Sequence, residues 1–184
     1  MSDTIKKSLL VQLLGSIKML EQAIVACPQE FWNDAQEFWY KAYHTLFYLD
    51  YYLAENPASF APPAPFTLSE FDPAGAKPPC VYTKEELIHY LNYCRAHAIA
   101  SIPSKNLEQR FVNAYRDYSH FEILVYNIKH VQHHVGMLTL LLRQNCNATP
   151  FTVAGTGSIN KKKYPSYMAP DPENFRGINA VKVL

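Results

Sequence analysis

The sequence predicts an all-α protein: a four-helix bundle with a long proline-rich crossover between the second and third helices and an extended C-terminal tail. Three observations lead there. Four segments carry apolar residues at spacings of three and four, as helices with one buried face do. Pro28, Pro57 and Pro103 close three of them. The third and fourth open on capping boxes, in which a Ser or Thr side chain and a Glu three residues on satisfy orphan backbone donors at a helix start.

The first helix is expected from about Asp3, a candidate N-cap, to about Ala26, with Leu9, Leu10, Leu13, Leu14, Ile17, Leu20 and Ile24 on its apolar stripe. The second, about Asp34 to Glu55, is apolar or aromatic around most of its circumference, as expected of a helix deep in a bundle. Between Asn56 and Pro79 the chain holds seven prolines, a density that excludes helix and leaves a crossover able to cover a pocket. The third helix starts at Thr83, boxed with Glu86, and runs to about Ile102. SKNLEQRFVNAYRDY, which follows, reads either as a helical turn or as irregular chain. Ser119, boxed with Glu122, opens the fourth helix, which reaches about Asn145. The bundle is thus assigned to residues 1–147. Residues 148–184, rich in Pro, Gly, Ser and Asn, are read as an irregular tail whose Lys161, Lys162 and Lys163 are solvated.

A net charge of +1 offers no broad field to attract nucleic acid or an anionic membrane, so a small-molecule substrate or a protein partner is expected instead. Cys27, Cys80, Cys94 and Cys146 form no CxxC pair, which argues against a thiolate zinc site or a redox dithiol. Two disulfides would be open to them in a secreted chain. The N-terminal stretch, however, lacks the apolar core and cleavage site of a signal peptide, and no uninterrupted apolar run reaches the roughly 18 to 20 residues that span a bilayer. A cytoplasmic protein with reduced thiols is the expectation.

Chemistry concentrates in NIKHVQHHVGM, where His130, His133 and His134 fall within five residues of a chain with seven histidines. At about 100° per residue, Leu124, Ile128, Val131, Val135, Leu138 and Leu142 form the core-facing stripe of the fourth helix. His130 and His134 stack on its flank beside Asn127 and Met137, whereas His133 lies at the edge of the polar side with Lys129 and Gln132. Imidazoles at i and i+4 stand about 5 to 6 Å apart and can converge on one ion. HxxxH also arises by chance, leaving a hydrogen-bonded pair as the alternative. His44, on the aromatic face of the second helix with Tyr40, Tyr48 and Tyr51, is the natural third ligand, because facing bundle helices recurrently build metal sites. Tyr40, Tyr48 and Tyr51 are candidate pocket walls. Surface or ligand-supporting roles are expected for His89, His97 and His120. A di-iron carboxylate centre lacks its set of ExxH glutamates on paired helices.

With four helices, a crossover, one histidine in the second helix and HVQHHVGML in the fourth, residues 1 to 147 resemble the DinB-like superfamily of metal-dependent enzymes. That resemblance implies an up-down-down-up bundle in which His44, His130 and His134 hold a divalent metal. His130, His133, His134 and Gly136 reproduce the family's wording. Val135 and Met137 depart from it, where the family often has arginine and glutamine. Implied with it are zinc, nickel or iron as the metal, a low-molecular-weight thiol as a cofactor in transferase or hydrolase chemistry, and a homodimer through bundle helices, to which Val125 and Leu140 would contribute. No catalytic base is fixed by it. The alternative function is a non-catalytic binding or dimerising scaffold with structural histidines.

Overall fold

The computed structural model describes residues 2–146 and 148. Helix α1 spans Ser2–Ala26, α2 Gln29–Trp32, α3 Phe38–Tyr51, α4 Lys84–Ser101 and α5 His120–Asn145. Strands β1, Arg110–Val112, and β2, Asp117–Ser119, pair antiparallel. The chain is mostly helical, as its periodicity predicts. Helix α1 packs against α4 and α5, and α3 packs against the same two. The tail predicted for residues 148–184, with Lys161 to Lys163, lies outside the described residues apart from Ala148.

Leu13, Ile17, Leu20 and Ile24 of α1 are buried, as their spacing requires. By length and composition this helix is apolar enough to cross a membrane, a test that the core helix of a bundle also passes. Its apolarity lies in a stripe interrupted by Lys18 and Glu21 rather than in one unbroken run, and here that stripe faces the other helices.

Pro28 ends α1 but also starts α2, since its φ of −63° suits the position before a helix. Phe31 and Trp32 of α2 are buried, and the Trp32 indole donates to the Tyr82 carbonyl at 2.9 Å. Helix α3 therefore begins at Phe38 rather than Asp34. The Asp34 carboxylate instead accepts the Gln36 N–H at 2.8 Å, closing a turn, and Glu37 takes a left-handed φ of 50° that no helix continues through. At its other end α3 stops at Tyr51, four residues short of expectation. There the Leu53 N–H goes to Asp50 O at 3.0 Å, a tightened last turn.

The proline-rich segment after α3 is irregular, with 3-10 turns at Pro57–Ser59 and Ser69–Phe71. Tyrosines of α3 hold it down: Tyr43 Oη donates to Thr67 O at 2.7 Å and Tyr48 Oη to Glu70 O at 3.2 Å. Both predicted capping boxes form, Thr83 with Glu86 and Ser119 with Glu122.

The stretch read as a helical turn or irregular chain is irregular over residues 104–109 and then forms the β1–β2 hairpin. Phe111 pairs opposite Tyr118, and Asn113 Oδ1 closes the turn by accepting the N–H groups of Tyr115 and Arg116 at 2.9 and 2.8 Å. Three-residue strands are too short to display an alternating pattern, and only Phe111 is buried in β1.

Tightening the end of α3 leaves the Leu49 carbonyl without the Leu53 N–H as donor. Asn127 of α5, fully buried, supplies it from Nδ2 at 2.9 Å. Asn127→Ala unpairs the Leu49 carbonyl but also removes Asn127 Oδ1, itself buried without a partner among the described residues, so the expected destabilisation is at the low end, about 1 kcal/mol. Urea denaturation would measure it, and a change within about 0.5 kcal/mol would show that the bond contributes nothing.

Candidate metal centre

Helices α3 and α5 meet along rungs that run in opposite directions. Tyr52 faces Tyr126 (ring centroids 5.4 Å apart), Tyr48 faces His130 (5.7 Å) and His44 faces His134 (4.8 Å). Each step of four residues on one helix matches four on the other, so a single register sets every rung. The Asn127 bond to Leu49 lies in the same seam.

This register brings His44, His130 and His134 together. One ring nitrogen of each lies within 4.8 Å of those of the other two. His130 Nε2 and His134 Nε2 stand 3.1 Å apart. Two imidazole nitrogens bound to one ion at roughly 2.0 to 2.1 Å are separated by about 3.0 to 3.4 Å, so the pair fits a shared metal without rearrangement. Burial, reinforced by the neighbouring imidazoles, lowers the pKa of His130 to about 3 and of His134 to about 4. Both are therefore neutral at pH 7, the state in which imidazole donates a lone pair.

His44 is oriented from its other nitrogen. Its Nδ1 lies 2.7 Å from Glu70 Oε2, and the Glu70 side chain is only 4 % exposed. A carboxylate on the far nitrogen of a histidine fixes the tautomer and leaves Nε2 free to ligate. Glu70 Oε1, His130 Nδ1 and His134 Nδ1 are buried with no hydrogen-bond partner among the described residues. The Nδ1 atoms of His130 and His134 thus lack the supporting bond that Glu70 gives His44.

His44, His130 and Glu70 also line a cavity of about 820 Å³. Its floor comes from α3 and α5, one wall from the proline-rich segment and the other from the hairpin turn. Tyr48 and Tyr51 are among its walls, as expected, whereas Tyr40 is not in the lining. Tyr40 sits one turn before His44, beneath the Lys77 ammonium at 5.3 Å, and its phenol pKa is raised by burial and by Glu70. His133 is exposed, as the helical wheel predicts, and so is His89.

His97, its side chain 30 % exposed, and His120, which is buried rather than at the surface, both pair away from the cluster. His97 Nδ1 lies 2.9 Å from Asp50 Oδ1, about 120° round α3 from His44, and Tyr90 Oη donates to the same carboxylate at 3.2 Å. His120 is 1 % exposed at the base of the hairpin, where its Nδ1 meets Asn106 O at 3.1 Å.

Two residues at the site were not legible in the sequence. Glu70 stands with Asp72 in an apolar, proline-rich segment where an acid reads as solvated. Arg116 belongs to the hairpin turn, and its Nη2 donates to Tyr126 Oη at 2.7 Å. Compared with family models, with curated proteins and with solved structures, the chain matches none.

The depressed histidines give a signed expectation for metal-free protein. Above about pH 6.5 both are neutral in either state, and the folded form keeps its full stability. As pH falls from about 6.5 towards 4, the unfolded chain takes up protons that folded His130 and His134 refuse, so stability falls. Melting temperature in chelator should drop between about pH 7.5 and 5, and drop less in the His130→Gln, His134→Gln double variant. Equal drops would show that these imidazoles are not the groups responsible.

Proposed function

We propose that the chain is a metal-dependent enzyme of the DinB-like type, acting on a small molecule through a divalent transition metal held by His44, His130 and His134. The convergence of the three imidazoles, two of which, His44 and His130, line an aromatic cavity, carries this reading. Neutral nitrogen donors suit zinc, nickel or iron. Bound there, such an ion lowers the pKa of a water or thiol and stabilises developing negative charge. The chain's own residues supply position and shelter. Glu70 holds the His44 ring, Asn127 sets the register that meets it with the HxxxH pair, and Tyr48, Tyr51, Phe60 and Phe71 keep the cavity largely apolar. Transfer or hydrolysis with a low-molecular-weight thiol as co-substrate belongs to the same reading.

The pairing of α1 and α3 with both α4 and α5 supports an up-down-down-up four-helix bundle, with the proline-rich segment as its crossover. We extend the proposal to a cytoplasmic homodimer joined through bundle helices, on which Val125 and Leu140 are exposed at 45 % and 53 %. A second reading, a scaffold in which the histidines only pack, draws on the 3.1 Å separation of the two Nε2 atoms, which also suits a hydrogen bond.

Metal analysis of untagged protein is expected to find about one equivalent of a transition metal, lost in His44→Ala. Less than about a tenth of an equivalent, unchanged by that substitution, would overturn the enzyme reading. For the scaffold, alanine at all three histidines should lower the melting temperature without metal; a change that requires metal would exclude it. Glu70→Ala should weaken zinc binding about 10- to 100-fold in competition with a chromophoric chelator. An unchanged affinity would leave Glu70 no part in holding His44.

A further inference from the structure

The cavity that His44 and His130 enter has a cation at its other side. Among its lining residues Arg116 is the one lysine or arginine. Its backbone N–H is pinned to Asn113 Oδ1 in the hairpin turn, at 2.8 Å. The guanidinium carbon lies 4.3 Å from the centre of the Tyr126 ring, and that ring is stacked 6.2 Å from His130. One aromatic ring thus separates the guanidinium from the histidine cluster. Arg116 makes no ion pair among the described residues, and its neighbour Asp117 is engaged by Arg110 at 2.7 Å. Of the five N–H donors of a guanidinium, Tyr126 Oη takes one side-chain bond, so most of the planar fork is unspent.

An arginine held by its own backbone, half-buried against tyrosines and without a carboxylate partner, is suited to receive one from a ligand. Charge selects a monoanion over a phosphate dianion. Glu70 and Asp72 line the same cavity and would repel a second negative charge, whereas the arginine fork matches one planar carboxylate. Aromatic walls between the two ends call for an apolar body.

We propose that the substrate class is a small carboxylic acid with an apolar, ring-sized body, its carboxylate on Arg116 and its reacting end at the His44, His130 and His134 cluster. The inference rests on the metal-site reading for the reacting end only. Arg116 acts as a specificity-determining residue.

The test uses probes carrying a thiol at one end and a carboxylate at the other. These are 4-mercaptobenzoate, 4-(mercaptomethyl)benzoate and 3-(4-mercaptophenyl)propanoate, each beside its neutral amide, titrated calorimetrically into zinc-treated and metal-free full-length protein. At least one acid should bind about tenfold tighter than its amide, the scale expected for a charge-assisted bidentate contact. In Arg116→Gln that preference should fall below about twofold, and Arg116→Lys, which keeps charge but loses the fork, should retain part of it. Melting curves establish that the variants are folded; if Arg116→Gln unfolds, the lysine variant decides. No acid preferred over its amide, or a preference that survives in Arg116→Gln because the carboxylate sits on zinc, overturns the proposal. Zinc binding measured alongside separates the two readings. Zinc bound without acid preference overturns this inference and leaves the metal site standing. Acid preference without zinc supports Arg116 and removes the metal.

Discussion

Asn127 donates across the α3–α5 seam to the one α3 carbonyl that the tightened end of that helix leaves short of a donor. The bond is buried, so sliding either helix would cost an unsatisfied acceptor as well as the packing of its aromatic rungs. Because helical side chains recur every three to four residues, fixing this one position fixes the next rungs at Tyr48 and His130 and at His44 and His134. The i, i+4 spacing pairs His130 with His134 locally, and that register is what brings His44 to them.

The proline-rich segment has a second role that its composition conceals. Its internal hydrogen bonds are confined to short turns, so carbonyls outside them must find partners elsewhere. Here Tyr43 and Tyr48 offer phenolic donors to its carbonyls, and the price of that anchoring is a row of tyrosines with polar tips in the core. In return Glu70 arrives beside His44 with almost no exposure to water. Removing the carboxylate from solvent strengthens its hold on the imidazole, since the local dielectric is low. The hairpin makes the opposite wall in a comparable way. Its turn is closed by Asn113, and the same turn carries Arg116 to the tyrosines next to His130.

A cavity bounded by two irregular segments and floored by two rigid helices divides its tasks. Groups that need fixed geometry, the three imidazoles, stand on helices whose packing holds them. The charged groups that reach the cavity from its walls, Glu70 and Arg116, stand on irregular segments. Burial keeps His130 and His134 neutral, which favours a metal and disfavours a proton at the same nitrogens.

The sequence by itself determined the helical class, the capping boxes at Thr83 and Ser119, and the sorting of His130 and His134 away from His133. All of these are local: a cap spans four residues and a helical face repeats within eight. It also nominated His44, because one imidazole on a bundle helix facing an HxxxH pair is a recurring way to build a metal site. Helix α2, the late start of α3 at Phe38 and the hairpin depended on a left-handed residue, a side-chain-closed turn and strands of three residues, none of which leaves a periodic trace. Only the tertiary structure decided that Glu70 and Arg116 reach the cavity, that Tyr40 does not line it and that His120 is buried. Each of those outcomes joins residues far apart in the chain, and the register between helices and loops that brings them together is set by packing, which no local pattern encodes.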